Sequence, residues 1–182
     1  MYRLIIKNNI IIFSISIIFS SILYSSDILL PNSFESNFTQ TITTDKKQKI
    51  KYSGNIIFSS NNSFKWSYTY PTKKEVCTDG KDLLVVDHDL EQVSAYRVDN
   101  GLNLHNILKN ARIHRKSVYI AKYKSKNYTI QVDKDGKLSR IAYKDDLDNT
   151  VLIVFKNMIY SKSQIDTKNL KCNYPSSYDL IN

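Results

Sequence analysis

Three adjacent residues, Asp87, His88 and Asp89, form the group in this sequence whose types and spacing most resemble a catalytic cluster. Carboxylates beside an imidazole can raise its basicity or help it to hold a metal ion. Catalysis would also need a nucleophile at a recognisable spacing, and a metal site would need a second histidine nearby. The neighbouring sequence contains neither. We therefore interpret this group as a polar hairpin turn, and we predict no catalytic residue and no metal ligand.

A second acidic group, Asp133 and Asp135 followed by Gly136, resembles the beginning of a calcium-binding loop. It lacks the further acids and the closing glutamate that such a loop uses, so we predict a hairpin turn here as well. The chain has only 4 glycines and contains neither a phosphate-binding glycine loop nor a Gly-x-Ser-x-Gly motif. These observations indicate a protein that is not an enzyme and that needs no cofactor.

The 2 cysteines of the chain are Cys77 and Cys172, which lie too far apart in sequence to form a Cys-x-x-Cys redox pair. A disulfide between them would close a long loop and would stabilise the fold by up to roughly 4 to 5 kcal/mol. The sequence alone does not show whether the segments that carry them are neighbours. The pair is therefore a possible disulfide at this point.

Residues 1–26 have the three-part pattern of a secretory signal peptide. Arg3 and Lys7 precede an apolar run from Ile10 to Leu23, and serines follow it. We predict that residues 1–26 are removed and that residues 27–182 form a single domain in the periplasm; an uncleaved anchor is the alternative. A formal net charge of +9 would suit a nucleic-acid-binding protein. Export argues against that class of partner, and we predict no nucleic-acid binding.

Strand signals dominate the rest of the chain, because β-branched and aromatic residues are concentrated in short segments separated by turn residues. The pattern predicts an antiparallel meander of ten strands, at residues 34–43, 49–59, 64–70, 83–87, 93–98, 118–123, 128–133, 138–144, 150–156 and 170–174. Between residues 103 and 112 the apolar residues instead recur at helical spacing. This segment predicts one short amphipathic helix over the sheet.

The most distinctive segment is the strand at residues 64–70. Alternate residues of a strand point to the same side, so Phe64, Trp66, Tyr68 and Tyr70 place four rings on one face. Such a face either packs into an ordinary core or lines an apolar cavity. Ten strands with one helix leave few elements to cover a curved sheet, which makes a cavity plausible unless the sheet closes into a barrel.

The order and spacing of these motifs resemble the periplasmic lipoprotein carrier family, LolA. Family members have a strand with the pattern aromatic-x-Trp-x-Tyr-x-x-Pro, then an Asp-Gly hairpin and an acidic turn that ends in Glu-Gln-Val. An earlier Ser-Phe-x-x-x-Phe-x-Gln segment, a later Asp-Gly turn and a Tyr-Pro pair complete the pattern. In this sequence the matching residues are Phe64, Trp66, Tyr68, Pro71, Asp79-Gly80, Glu91-Gln92-Val93, Ser33-Phe34, Phe38, Gln40, Asp135-Gly136 and Tyr174-Pro175.

The resemblance implies a mainly β fold, an unclosed antiparallel β-barrel of about 10 to 11 strands with short helices as a lid over a hydrophobic cavity. It implies a monomeric periplasmic chaperone that takes acylated lipoproteins from an inner-membrane ABC transporter of the LolCDE type. Delivery would be to an outer-membrane acceptor, either of the LolB type or unknown. A related envelope lipid-binding or stress-sensing module on the same half-barrel is the alternative.

Nine side chains are expected to bind acyl chains because of their positions in this fold. They are Phe38, Phe58, Phe64, Trp66, Tyr68, Tyr70, Leu104, Ile107 and Leu108. Family members also carry an arginine after the second strand that latches the lid, and residues 59–63 of this chain contain none. The family's long N-terminal helix has little sequence to occupy before the first strand. We therefore expect a smaller lid.

Overall fold

The computed structural model describes residues 28–97 and 103–181, which form one large β-sheet with two short helices. The predicted signal peptide, residues 1–26, lies outside the described residues. In chain order the elements are β1 (Ser33–Thr43), β2 (Lys49–Ser59), β3 (Ser63–Tyr70), β4 (Lys74–Thr78), β5 (Asp82–Asp87), β6 (Gln92–Arg97), α1 (Leu104–Lys109), β7 (Arg112–Arg115), β8 (Val118–Tyr123), β9 (Lys126–Val132), β10 (Leu138–Lys144), β11 (Thr150–Ser161), a 3-10 helix (Thr167–Leu170) and β12 (Asp179–Ile181). Neither of these helices is long and apolar enough to span a bilayer.

Two antiparallel meanders, β1 to β6 and β7 to β11, make up the sheet. They are joined where β1 pairs with β11, whereas the single meander expected from the sequence would have placed β6 beside the next predicted strand, at residues 118–123. β12 adds to the outer edge of β6 in parallel orientation. The described sheet ends at β12 on one side and at β7 on the other. The predicted unclosed, mainly antiparallel β architecture is therefore confirmed.

Nine of the ten predicted strands are present, and most of their ends differ from the prediction by no more than two residues. The strand predicted at residues 170–174 is wrong. Leu170 ends the 3-10 helix, and the chain then runs as a loop held by the Cys172 sulfur and by the Asn173 backbone instead of by a strand ladder. The sequence pattern did not reveal β4, β7 and β12, because strands of five residues or fewer give little alternation.

The helix α1 lies where helical spacing was found, but it is shorter than the predicted range of residues 103–112. Asn103 caps its N-terminus, because the side-chain oxygen accepts a hydrogen bond from the Asn106 N–H at 2.9 Å. Three side chains of α1 are buried, and the helix packs against β8. Arg112 lies outside the helix because it begins β7, the edge strand of the sheet.

The core lies on the inner face of the sheet, which we define as the face on which α1 packs. In the register of β1 with β2, Phe34 is opposite Phe58 and Phe38 is opposite Gly54. A side chain at Gly54 is excluded because its Cβ would lie 1.8 Å from the carbonyl oxygen of Ser67 on β3. The close approach of β2 to β3, next to the Phe38 ring, therefore depends on this glycine.

Candidate functional site

A cluster of aromatic rings occupies the first meander's part of the inner face. The ring centroid of Phe38 lies 4.9 Å from that of Trp66 and 5.2 Å from that of Tyr68, and both pairs meet edge to face. Phe34 stacks on Phe58 with centroids 5.0 Å apart. Rings at these separations are in direct contact. β1, β2 and β3 therefore present one continuous aromatic surface.

Most of the side chains that the sequence singled out meet on this face. Eight of the nine predicted acyl-binding residues belong to the apolar cluster or pack against it. The buried ones are Phe38, Phe58, Trp66, Leu104, Ile107 and Leu108, and the half-buried ones are Phe64 and Tyr68. The strand residues and the helix residues thus come together although up to 70 positions separate them in the chain.

Tyr70 is the ninth predicted residue, and the structure does not bring it into the cluster. Its side chain is 62% exposed. The reason is a register shift in β3, where Tyr68 pairs with Gly54 but Tyr70 pairs with the adjacent Ser53. Two positions of β3 are matched to one step of β2, so the alternation of faces is lost at the end of the strand.

The second meander supplies the rest of the inner face, and the sequence analysis did not single out its residues. Phe155 of β11 lies 6.3 Å from Phe34 and 6.4 Å from Trp66, so its ring connects the two meanders. Apolar alternation in β9 and the continuous apolar run at residues 151–155 of β11 were the signals that could have found this surface. Its buried residues are Tyr119, Ala121, Tyr128, Ile130, Val132, Leu138, Ile141, Val151, Ile153 and Phe155.

The lid formed by α1 is closed on this face. Its three buried side chains and the aromatic rings belong to one apolar cluster. Apolar groups without cargo exclude water by packing on one another. The side chains of α1 and of both meanders therefore belong to one apolar cluster on the inner face, where the sequence analysis expected them to line a hollow.

Two polar atoms lie inside the aromatic cluster. The Tyr68 hydroxyl donates a hydrogen bond to Oε1 of Gln40 at 3.0 Å. Burial raises the pKa of Tyr68 well above its ordinary value. The Trp66 Nε1–H is buried and has no hydrogen-bond partner among the described residues. Because a buried donor without an acceptor costs about 1 to 3 kcal/mol, this indole offers an unused donor within the site.

The apolar surface continues from Trp66 towards the edge of the first meander. Trp66 is aligned with Val76 of β4, which is aligned with Val85 of β5. Both valines are half-buried, and Tyr96 on the neighbouring β6 is 56% exposed. The inner face thus becomes more open to solvent from β3 to β6, whereas the lid packs on β8 in the other meander.

A smaller apolar cluster lies on the opposite, outer face of β4 to β6. Residues 166–181 cover it, and we call them the C-terminal cover. The disulfide between Cys77 and Cys172, with Cα atoms 5.6 Å apart, joins this cover to β4. Leu170, which ends the 3-10 helix of the cover, is buried. The Glu75 carboxylate accepts a hydrogen bond at 3.1 Å from the backbone N–H of Asn173, which holds the cover at a second point.

The residues that resembled a catalytic cluster make structural contacts. His88 lies in the turn between β5 and β6, and its Nδ1 is 3.2 Å from the Tyr178 hydroxyl of the C-terminal cover. Asp87 pairs with the Lys74 ammonium at 2.9 Å and accepts backbone hydrogen bonds within the turn. Asp133 likewise accepts two backbone hydrogen bonds in the turn between β9 and β10. Both groups form hairpin turns, as the sequence predicted.

Comparison with known sequences shows consistent similarity to one kind of protein. The family model described as outer membrane lipoprotein carrier protein LolA matches residues 31–118. A protein of Campylobacter jejuni named outer-membrane lipoprotein carrier protein is 37% identical over 169 residues, which cover 93% of this chain and 97% of the relative. A Wolinella succinogenes protein of the same name is 29% identical over 125 residues, covering 69% and 73% of the two chains.

Solved structures resemble the fold. A LolA superfamily protein from Nitrosomonas europaea superimposes with a TM-score of 0.54 over 81% of this chain and 94% of that chain, at 12% identity. An uncharacterized conserved protein from Thermus thermophilus has a TM-score of 0.51, covering 84% and 91% at 10% identity. These two matches support the open-sheet architecture alone. The 37% identity along nearly the whole of both chains goes further, and the chain belongs to the outer membrane lipoprotein carrier family, LolA.

Proposed function

We propose that this protein carries lipoproteins through the periplasm by shielding their acyl chains on the inner face of its sheet. The relatives named as outer-membrane lipoprotein carriers support this class of cargo. The donor is an inner-membrane ABC transporter of the LolCDE type, and the recipient is an acceptor at the outer membrane. The protein reaches this compartment through the signal peptide at residues 1–26 and acts there as a monomer.

One observation carries the proposal most strongly. An aromatic face on β1 to β3 is covered by a helix of only six residues, and the face continues as a partly exposed stripe to β6. In an ordinary core the apolar face would stay buried, whereas this face becomes more exposed from β3 to β6. We propose that Phe38, Phe58, Phe64, Trp66, Tyr68, Leu104, Ile107 and Leu108 contact acyl chains after α1 has moved, and that Tyr70 lies at the margin.

A comparison of free energies favours opening of the lid by the cargo itself. Three acyl chains contain roughly 45 methylenes, whose exposure to water costs on the order of 35 kcal/mol. The three buried side chains of α1 stabilise the closed state by about 5 to 9 kcal/mol at most. Cargo chains that replace the lid's contacts therefore shift the equilibrium to the open state without nucleotide. The same small lid allows release to a tighter acceptor.

The proposed role involves no catalysis. His88 contacts the C-terminal cover, and Asp87 pairs with Lys74 and holds the turn between β5 and β6. The unused Trp66 N–H suits a carbonyl oxygen of the lipid anchor, since ester and amide carbonyls lie at the head of each acyl chain. We propose that this indole fixes the depth of the chains, while the other contacts remain non-directional.

The experiment uses Trp66, the chain's 1 tryptophan, as the reporter. A synthetic triacylated lipopeptide with brominated acyl chains is titrated into the protein while tryptophan fluorescence is recorded. Quenching is expected, because bromine quenches an indole only on contact. The deacylated peptide and the non-brominated lipopeptide are the matched controls, and both should leave the fluorescence unquenched.

The outcome against the proposal is equally specific. A brominated lipopeptide that binds, as shown by co-elution, but leaves Trp66 unquenched would place the acyl chains elsewhere. A related stress-sensing module would bind a membrane partner through its outer surface and would tolerate Trp66→Asp. The carrier should lose its lipopeptide complex with Trp66→Asp and keep it with Ile159→Asp, which places the same charge at an exposed apolar residue.

A further inference from the structure

We infer that the edge of the sheet beside the lid is a membrane-docking surface that binds anionic phospholipid headgroups. The inference does not rest on cargo binding. Its first support is the charge of one long segment, because residues 100–132 contain no aspartate and no glutamate. The basic residues of this segment are Lys109, Arg112, Arg115, Lys116, Lys122, Lys124 and Lys126.

The fold gathers several of these cations on one surface. A depression of about 620 Å³ is lined by the end of α1, by β7 and by β8. Lys109, Arg112, His114 and Lys122 contribute to it, and all four are exposed. We call this region the basic edge.

Apolar side chains lie among these cations. Ile113 is 56% exposed and Ile120 is 41% exposed, and both line the same depression. Ile120 is opposite Arg112 in the register of β7 with β8, so the two side chains leave the sheet on the same face. Cations that flank exposed aliphatic residues match the interface of an anionic bilayer, where the headgroups bind the cations and the boundary below them takes up the apolar groups.

The shape of the edge favours a lipid surface over an added strand of a protein partner. β7 has four residues, all exposed, and its pairing with β8 shifts register between Ile113 and Arg115. A short and irregular edge is a poor template for strand addition. A bilayer needs only the charge and the apolar side chains.

The basic edge also adjoins the lid. Lys109 is the last residue of α1 and lines the depression, and Arg112 begins the next strand. Docking would therefore place the C-terminal end of the lid at the headgroup layer. A protein that transfers acyl chains into or out of a membrane would then open where the membrane is.

The test is co-sedimentation with vesicles, using protein expressed with its own N-terminal segment and purified as the host cell processes it. Vesicles of phosphatidylglycerol mixed with phosphatidylcholine are compared with vesicles of phosphatidylcholine alone. Binding to the anionic vesicles only is expected, and it should weaken as salt screens the charges. Arg112→Glu with Arg115→Glu should reduce this binding by roughly tenfold or more.

A matched control distinguishes binding through the basic edge from attraction caused by the overall positive charge of the protein. Lys49→Glu with Lys51→Glu changes the net charge equally, also at exposed strand residues, but on β2, which five other strands separate from β7 in the sheet. This pair should bind nearly as the unchanged protein does, and Ile113→Ser with Ile120→Ser should bind more weakly. Equal losses from the two charge pairs, equal binding to both vesicle types, or no binding by the unchanged protein would overturn the inference.

Circular dichroism and thermal unfolding confirm that each variant is folded, which is expected because every altered residue is exposed. The brominated lipopeptide titration is run on the same variants in the absence of vesicles. A protein that binds lipopeptide but not anionic vesicles would leave the carrier function standing and refute the docking surface. The reverse result would retain the docking surface and refute the carrier function.

Discussion

The two faces of this sheet are covered in different ways. On the inner face, α1 covers the aromatic cluster through the apolar contacts of three buried side chains. On the outer face, the C-terminal cover is held by the disulfide from Cys77 to Cys172, by the buried Leu170 and by the hydrogen bond to Glu75. The first cover is held by non-covalent contacts alone, whereas a covalent bond also attaches the second.

This difference separates two tasks within one small domain. A carrier must expose its inner face repeatedly without unfolding, so some other contact has to keep the strands of the first meander together. β4 to β6 have an open stripe on the inside and the C-terminal cover on the outside. In the proposed carrier cycle, the outer cluster would supply the stability that the inner face gives up when α1 moves.

The largest expected effect comes from removing the covalent link. Cys77→Ser together with Cys172→Ser should lower the free energy of unfolding in urea by about 2 to 4 kcal/mol, because the unfolded chain regains the entropy of a long loop. Quenching of Trp66 by the brominated lipopeptide should not change. If quenching disappears under conditions where the double variant is still folded, the two covers are not independent.

A mutation that creates a cavity under α1 should destabilise the contacts of the inner face and leave the C-terminal cover unaffected. Ile107→Ala, at a fully buried position of α1, should destabilise the closed lid by about 2 kcal/mol, or roughly thirtyfold in the opening equilibrium. Native-state hydrogen exchange should then be faster in α1 and β8. Leu170→Ala is the matched change at a buried residue of the C-terminal cover and should leave exchange in α1 unaltered; faster exchange there would show that the covers are coupled.

The hydrogen bond and ion pair of Glu75, which also hold the C-terminal cover, should contribute less to the free energy of unfolding than the disulfide does. Glu75 pairs with the Lys65 ammonium at 2.9 Å, and this ammonium also donates to the Lys171 carbonyl at 3.3 Å. Glu75→Gln removes the charge but retains an acceptor for the Asn173 N–H, so the free energy of unfolding should fall by about 1 kcal/mol. Urea unfolding at low and at high salt measures this change in the free energy of unfolding. A loss above that caused by opening the disulfide would reverse the proposed order of the two attachments.

The smallest effect at neutral pH comes from tyrosines of the inner face, where burial raises the pKa of Tyr143 and of Tyr160 to about 12. Below pH 10, the ordinary tyrosine value, both states keep these protons and stability does not depend on them. Between about pH 10 and 12 the unfolded chain releases protons that the folded chain retains, so stability falls as pH rises. Tyr143→Phe should make this fall shallower. An unchanged slope in alkaline urea titrations would contradict the burial of this hydroxyl.

Local sequence predicted the parts of this fold that depend on neighbours in the chain. The alternation of β2, the turns at Asp87 and Asp133, and the helical spacing around Ile107 all appear in the structure near the expected positions. The pairing of β1 with β11 was not predicted, because nothing in either strand specifies a partner more than 100 residues away.

The site could be predicted for similar reasons and to a similar extent. The rings of the aromatic strand lie on one face as far as Tyr68, where alternation still holds, and the register shift next to Gly54 turns Tyr70 away. Such a shift depends on how two strands meet, so periodicity within one strand cannot reveal it. The contacts of Phe155 with Phe34 and Trp66 were missed because packing between rings from both meanders depends on the β1 to β11 pairing.

That pairing also governs the order in which the protein can fold. β1 is the first strand of the described chain, yet it lies in the middle of the sheet between β2 and β11. A chain delivered N-terminus first forms β1 to β6 while one edge of β1 and the rings of Phe34 and Phe38 are still exposed. Free strand edges with apolar surface promote aggregation. Pairing of Thr150–Ser161 with that edge completes the core. A chain that ends before this segment would therefore keep an exposed strand edge and an exposed apolar face, both of which promote aggregation.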